Sequence, residues 1–235
     1  MRRKSKKILL KLILALILTS PFFFFYLLLK SPAFLVKNIV VTTDYDITVN
    51  REIGKVLENV RGQNIFFVNE KDLGEKVKSA DIKIREVDVE KQFLGKILVG
   101  IKSRQALAVV PVGVSFFLVD KEGLIFSEER ETSGLPIINL SLQNIGVGSR
   151  IDEKKGGKAV LLILDSLKGK EEVISISVIE EEIQMWLQET LVLFPAEGEV
   201  DTKVNALQMV LSRFKIEGKR PTKIDLRFEK PIVTF

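Results

Sequence analysis

The sequence contains no cysteine and no histidine among its 235 residues. Without cysteine the chain has no disulfide, no thiolate nucleophile and no thiolate metal ligand. Without histidine it has no imidazole to act as the base of a Ser-His-Asp or Cys-His site, or to complete a usual zinc site. These absences disfavour an enzyme, and we identify no catalytic, cofactor-binding or metal-binding residues in the sequence.

Acidic residues are also absent from the amino-terminal end, where none occurs before Asp44. Seven of the 36 basic residues precede residue 31, so the rest of the chain carries 29 basic and 31 acidic side chains. The formal net charge of +5 therefore comes from the amino-terminal end alone. A nucleic-acid-binding domain needs a basic surface of its own, so the sequence predicts no nucleic-acid partner.

One long apolar run is present. Residues 8–29 read "ILLKLILALILTSPFFFFYLLL", in which Lys11 is the only charged residue. As a helix this run is long enough to cross a hydrocarbon core of about 30 Å. The basic tail 1–7 precedes it, and basic flanks favour the cytoplasmic side. The sequence predicts a single-pass protein of the cytoplasmic membrane, with its amino terminus in the cytoplasm and the later residues outside.

A cleaved signal peptide is the alternative interpretation of this run. The apolar part of a signal peptide is usually about 7 to 15 residues long and is followed by small residues at the cleavage site. The run here is longer, and only Ser31, Pro32 and Ala33 approach a cleavage site. The pattern therefore favours a retained anchor.

Residues 34–102 have the pattern of one small α+β domain. A β-branched run is followed by two segments with helical spacing, the first capped by Asn50 or Thr48 and the second by Asn69. Two runs with strand character come next. The order β-α-α-β-β predicts a three-stranded sheet with two helices on one face.

Residues 103–235 are richer in strand patterns than in helix patterns. The sequence "FLVDKEGLIF" predicts a hairpin with Gly123 in its turn. Helical spacing interrupts the strands twice, over 157–167 and from a cap at Asp201 to Lys215. This part of the chain is predicted to form a mostly antiparallel β domain with two helices.

The last residues, "KIDLRFEKPIVTF", have a strand pattern up to the carboxyl terminus. Apolar and charged side chains alternate in the order Lys223, Ile224, Asp225, Leu226, Arg227 and Phe228. Such alternation predicts a strand that is buried on one face. Because chain termini are usually polar and frayed, an apolar terminal strand indicates a surface that another segment covers.

Several segments, in this order, resemble the FtsQ/DivIB family of bacterial cell-division proteins. After the apolar run they read "FLVKNIVV", "GQNIFFV", "VDV", "KILVGI", "FLVDKEGLIF" and "IDLRF". The resemblance covers nearly the whole chain. It implies a cytoplasmic tail over 1–7, a transmembrane helix over 8–29, a POTRA domain over 34–102 and a β domain over 103–235.

The resemblance also implies a function, that of a non-catalytic scaffold at the division septum that links early and late division proteins. Its partners would be FtsB/DivIC-like and FtsL-like single-pass proteins, with no small-molecule substrate. In relatives a partner segment docks along the strand with an Asp-Leu-Arg-Tyr motif and just beyond it. The partner-binding residues implied here are Asp225, Leu226, Arg227, Phe228, Lys230, Pro231 and Phe235.

Within this predicted site, Phe228 replaces the tyrosine of the motif and Arg227 can pair with a partner carboxylate. A partner strand would satisfy the unpaired backbone groups of the last strand. A membrane-anchored envelope enzyme that uses the acidic runs 128–129 or 180–182 is one alternative, although runs of charge more often form a solvated face. A POTRA-bearing export or assembly factor is another.

Overall fold

The computed structural model of the chain describes residues 16–17, 19–21, 23, 26, 31–44, 48–93, 95–132, 134–140, 145–196 and 198–235. The chain folds as two compact units, Met1–Ser103 and Arg104–Phe235. The tail 1–7 and most of the predicted membrane helix 8–29 lie outside the described residues. In the part that is described, no helix is both long enough and apolar enough to cross a bilayer.

The amino-terminal unit has the predicted β-α-α-β-β order. Strand β3 is central, with β1 parallel to it on one side and β2 antiparallel to it on the other. A short 3₁₀ helix, Pro32–Phe34, precedes these elements, which are β1 (Asn38–Thr43), α1 (Arg51–Glu58), α2 (Glu70–Ser79), β2 (Ile84–Gln92) and β3 (Lys96–Ser103).

Asparagine caps start both helices of this unit. The Asn50 side chain accepts a hydrogen bond from the Ile53 backbone N–H at 2.9 Å, and that of Asn69 accepts one from Lys71 at 3.0 Å. Each cap satisfies a backbone donor that the first helical turn leaves unpaired. Apolar side chains from both helices and the sheet then form a core that contains Ile53, Val77 and Ile97.

The carboxy-terminal unit contains one mixed sheet, in the order β12-β11-β10-β9-β8-β7-β4-β5-β6. Its elements are β4 (Ala106–Val112), β5 (Ser115–Asp120), β6 (Ile125–Glu129), β7 (Ile137–Asn139), α3 (Gly157–Leu167), β8 (Val173–Ile179), β9 (Glu182–Leu187), β10 (Thr190–Pro195), α4 (Val200–Glu217), β11 (Lys223–Asp225) and β12 (Ile232–Thr234).

Most neighbouring strands of this sheet are antiparallel, as predicted, and the two helices account for two of the parallel pairs. Helix α3 connects β7 to β8, and α4 connects β10 to β11. Parallel neighbours need a crossover of this kind, because a tight turn cannot return the chain in the same direction. Both helices pack their apolar faces into the core, through residues such as Leu164 and Leu207.

The predictions of a turn at Gly123 and of two helices in this unit are confirmed, apart from the limits of the second helix. Gly123 has a φ of +82° in the turn between β5 and β6, where a left-handed conformation favours glycine. Helix α3 has its predicted bounds. The predicted limits of α4 were wrong by two residues at each end, because Glu199 rather than Asp201 takes the N-cap position and the helix continues to Glu217 instead of ending at Lys215.

Candidate functional site

The carboxyl terminus of the chain forms the edge of the large sheet. Strand β11 lies between β10, to which it is parallel, and β12, to which it is antiparallel. Strand β12 is the last strand of the sheet on this side. The strand with the Asp-Leu-Arg-Phe sequence is therefore covered on both sides, and the edge of the sheet is the run that follows Pro231.

The predicted strand was too long, because β11 ends at Asp225 instead of continuing to Phe228. The Leu226 N–H still donates to the Leu193 carbonyl at 2.8 Å, after which the chain bends. The Arg227 backbone N–H donates to Asp225 Oδ1 at 3.1 Å. An aspartate that accepts a hydrogen bond from the backbone two residues later forms a turn, and this turn ends the strand.

Asp225 and Arg227 also form a two-pronged side-chain pair. Arg227 Nε donates to Asp225 Oδ1 at 2.9 Å, and its terminal nitrogen donates to Oδ2. A second terminal nitrogen of Arg227 donates to Glu182, which starts β9. The alternation of the sequence predicts Asp225 on the solvent face. This prediction was wrong: Asp225 is buried, and two nitrogens of the Arg227 side chain donate hydrogen bonds to its carboxylate oxygens.

The pKa of each member of this pair is shifted in the direction that favours its charged form. The hydrogen bond from Arg227 lowers the pKa of Asp225, and burial opposes this shift only in part. The same hydrogen bond raises the pKa of Arg227 further above its ordinary value. Both groups are therefore charged at neutral pH. Arg227 was predicted to pair with a carboxylate of a partner, but here it already contacts two carboxylates of its own chain.

Exposed apolar side chains follow this pair. Phe228, Ile232 and Phe235 are 53%, 53% and 61% exposed. The Phe228 ring lies 5.8 Å from the guanidinium carbon of Arg227, within the range of a cation–π contact. The Phe235 ring meets the ring of Phe214, on α4, edge-on with 5.2 Å between centroids. We call residues 227–235 the carboxy-terminal edge.

The predicted partner-binding residues divide into two groups. Leu226 is fully buried in the core and Asp225 is 5% exposed, so neither presents a side chain to a partner. The carboxy-terminal edge contains the others. Arg227, Phe228, Lys230 and Phe235 are exposed, and Pro231 is half-buried.

Three further residues contribute to this edge and were not predicted to do so. Glu182 contacts Arg227, Lys203 on α4 donates through Nζ to the Phe228 carbonyl, and Ile232 exposes its side chain on β12. Glu182 lies in the acidic run 180–182, and nothing in that run indicates a contact 45 residues away. Ile232 had a signal in the sequence, since the terminal apolar run begins there.

Carboxylates of both acidic runs that could have supported enzyme chemistry take part in contacts within the chain. Glu182 is engaged by Arg227 and by the Gln184 side chain, and Glu129 accepts a hydrogen bond from the Ser127 hydroxyl. Within the described ranges, no three aspartate or glutamate side chains are grouped so that they could hold a metal ion. The carboxy-terminal edge remains the candidate site, because exposed apolar side chains lie there beside an edge strand.

Comparison with known families gives a match for each unit. Residues 34–104 match the family described as "POTRA domain, FtsQ-type". Residues 108–227 match the family described as "Cell division protein FtsQ/DivIB, C-terminal". The second match alone covers more than half of the chain, and it ends within the Asp225 to Phe228 motif.

Individual proteins with curated descriptions agree with these matches. The chain is 24% identical over 212 residues to the cell division protein DivIB of Clostridium botulinum strain Hall, covering 86% of this chain and 81% of that protein. It is 24% identical over 202 residues to DivIB of Clostridium acetobutylicum, covering 81% of this chain and 79% of the relative. Proteins of this kind are division-associated membrane proteins. The chain belongs to the FtsQ/DivIB family of cell-division proteins.

Proposed function

We propose that the protein is a non-catalytic scaffold of the division septum, and that its carboxy-terminal edge binds FtsB/DivIC-like and FtsL-like partners. One observation carries the proposal: in a member of a division-protein family, β12 is a short edge strand of the large sheet, with exposed Phe228, Ile232 and Phe235 around it. An edge strand presents backbone N–H and C=O groups that a partner strand can pair.

Each part of the carboxy-terminal edge has a role in this binding. The backbone of β12 supplies hydrogen bonds, and the three exposed apolar side chains supply the area that a partner removes from water. Arg227 uses three of its five N–H donors on Asp225 and Glu182, so two remain for a partner carboxylate. Asp225 and Leu226 act by positioning Arg227 and the strand.

The proposal includes a place for the protein in the cell. The apolar run 8–29 anchors the chain in the cytoplasmic membrane at the division septum, with the basic tail 1–7 inside and both folded units outside. Partners with one membrane helix each would meet the carboxy-terminal edge from the same side of the membrane. The length of the run and the charge asymmetry around it support this arrangement.

Site-specific photo-crosslinking in host membranes tests the binding edge. A photoreactive amino acid is placed at Phe228 in one variant and at Ile232 in another, and a third variant carries it at Ile174. Ile174 is a matched control, because it is an exposed isoleucine on β8, away from the edge of the sheet. We expect the first two variants to capture a small single-pass coiled-coil division protein and the third to capture none of it.

The crosslinking result contradicts the proposal if the intact, membrane-bound variants at 228 and 232 capture no such protein. It also does so if position 174 captures the same protein equally well. Either outcome would mean that the carboxy-terminal edge is not the site of contact.

A charge on the edge strand provides a second test. Ile232→Lys places a cation where a partner strand would pair, and charged side chains on edge strands oppose strand addition. We expect the affinity for the partner to fall about tenfold, or about 1.4 kcal/mol. The stability of the fold should change by less than about 0.5 kcal/mol, because the side chain is exposed. Ile174→Lys is the control, and unchanged affinity of Ile232→Lys would contradict the proposed role of β12.

A further inference from the structure

None of the four phenylalanines of residues 31–103 is fully buried, although Phe34 packs against the core of the amino-terminal unit. The fully buried residues of that core are aliphatic, from Val36 to Ile101. Phe66, Phe67 and Phe93 are 55%, 74% and 92% exposed, and Phe34 is half-buried. A single exposed phenylalanine is common on protein surfaces. Four phenylalanines outside the buried core of one small unit are a larger group, so their positions matter.

Backbone hydrogen bonds bring these four residues to one end of the unit. The Ile65 N–H donates to the Phe34 carbonyl at 2.8 Å, so the loop with Phe66 and Phe67 lies beside Phe34. The Lys37 N–H donates to the Gly95 carbonyl at 2.8 Å, which holds the turn with Phe93 against the same segment. The rings of Phe34 and Phe66 are 5.1 Å apart. We call Phe34, Phe66, Phe67 and Phe93 the aromatic end.

The three segments that form the aromatic end carry only basic charged side chains. The segments 34–37, 60–68 and 91–96 contain four basic residues and no acidic residue; the basic residues are Lys37, Arg61, Lys91 and Lys96. Three carboxylates border these segments: Glu90 directly precedes Lys91, Glu58 pairs with Arg61 at 3.4 Å, and Glu70 accepts a hydrogen bond from the Lys91 backbone N–H. The opposite end of the sheet has Asp44 and Asp81, which hydrogen-bond to Ser103 and Asn50.

The aromatic end is also where the chain leaves the apolar run 8–29. Phe34 lies five residues after the end of that run, and five residues of extended chain span at most about 17 Å. Leu35 is paired with Asn64 in an isolated bridge, so the segment after the run is fixed to the loop with Phe66. A membrane helix over 8–29 would therefore place the aromatic end close to the bilayer surface.

We propose that the aromatic end lies in the outer interface of the cytoplasmic membrane. Aromatic rings are favoured at the boundary between headgroups and acyl chains, and lysine and arginine beside them contact anionic lipid phosphates. This inference rests on the proposed membrane anchor. It adds a second contact with the lipid, which fixes the orientation of the amino-terminal unit against the bilayer.

The observations favour a lipid surface over a protein partner as the occupant. The four rings come from three separate segments whose own charged side chains are all basic, a combination that matches an anionic lipid surface. The five-residue connection to the apolar run also limits how far this end can lie from lipid. A protein partner at the same place is an outcome that the experiment below can detect.

Fluorescence quenching by brominated lipids tests this inference in the full chain. Trp186 is the only tryptophan, so Trp186→Phe removes the native tryptophan fluorescence. Phe67→Trp or Phe93→Trp then introduces a single tryptophan as the reporter. Val49→Trp is the control, because Val49 is exposed and adjoins Asn50, which binds Asp81 at the opposite end of the sheet. The proteins are reconstituted in vesicles of phosphatidylcholine and phosphatidylglycerol, with bromine on the acyl carbons nearest the headgroup.

We expect the reporters at 67 and 93 to be quenched about threefold more than the reporter at 49, because only the aromatic end reaches the acyl boundary. Equal, weak quenching at all three positions in membrane-inserted protein would overturn the inference. Capture of a protein by a photoreactive residue at 67 in host membranes, together with absent quenching, would also overturn it. Failure of the anchor is separately visible, because alkaline carbonate would then extract the protein from vesicles, and this overturns both proposals.

Discussion

At the scale of single residues, Asp225 and Arg227 determine the shape of the carboxy-terminal edge. Their pairing ends β11, directs Phe228 to the surface and connects the terminal segment to Glu182 at the start of β9. Arg227→Glu would place a third carboxylate beside two existing ones, so this change would destabilise the fold together with any binding. Phe228→Ala removes only an exposed ring, and it is the cleaner test of partner contact.

The depressed pKa of Asp225 predicts a specific pH dependence. A carboxylate whose pKa is lowered on folding stabilises the fold above its ordinary pKa, and this contribution is lost as the pH falls below about 4. We expect Asp225→Asn to lower the free energy of unfolding by about 1–2 kcal/mol at pH 7, since Arg227 is partly exposed and its hydrogen bonds are partly screened. The difference from the wild type should shrink toward pH 3.

Trp186 fluorescence during urea unfolding of the full chain in detergent measures this difference, since Trp186 lies on β9 beside β10. Glu229→Gln is the control, because Glu229 is exposed on the same edge. A deficit of Asp225→Asn that stays constant from pH 7 to pH 3 would show that the charge of Asp225 does not stabilise the fold.

At the scale of secondary-structure elements, one glycine permits the close approach of two segments in the amino-terminal unit. Gly95 has a φ of +75°, and a Cβ at this position would lie 2.0 Å from the Leu35 carbonyl oxygen. The turn between β2 and β3 can therefore contact the segment before β1 only with glycine at 95. Through this contact the turn with Phe93 becomes part of the aromatic end.

Two glycine-to-alanine changes should have opposite effects in this unit. Gly95→Ala should destabilise it by about 2 kcal/mol or more, because the new methyl group meets backbone and the left-handed conformation is strained. Gly54→Ala, in the middle of α1, should stabilise it by about 0.5–1 kcal/mol, because nothing lies within 4 Å of the new Cβ. Hydrogen exchange of the amides of β1 and β3 reports both changes, and equal protection in the two variants would refute this account.

At the scale of the whole molecule, the distribution of charge predicts the orientation in the membrane. Because the chain has no cysteine, single cysteines introduced at Lys4 or Glu229 report the two sides without background. In protoplasts, a membrane-impermeant maleimide should label Glu229→Cys and should label Lys4→Cys only after permeabilisation. The reverse pattern would contradict the predicted orientation, and equal labelling before permeabilisation would contradict a spanning segment.

The sequence alone predicted the features that depend on residues close to each other along the chain. Caps at Asn50 and Asn69, the bounds of α3 and the turn at Gly123 follow from local hydrogen bonding and backbone preference, and they are confirmed. The alternation over 223–228 predicted a strand but missed its end, because an Asx turn at Asp225 interrupts the pattern. Nothing local indicates that Arg227 meets Glu182.

The amino-acid sequence by itself determined the order of elements in the amino-terminal unit and the family, because periodicity, caps and an ordered set of segments are properties of consecutive residues. Only the tertiary structure decided which strand forms the edge and where the phenylalanines of the first unit gather. Strand β12 covers β11, and three separate segments meet at the aromatic end. These arrangements depend on hydrogen bonds between residues that are distant in sequence, for which one sequence contains no local signal.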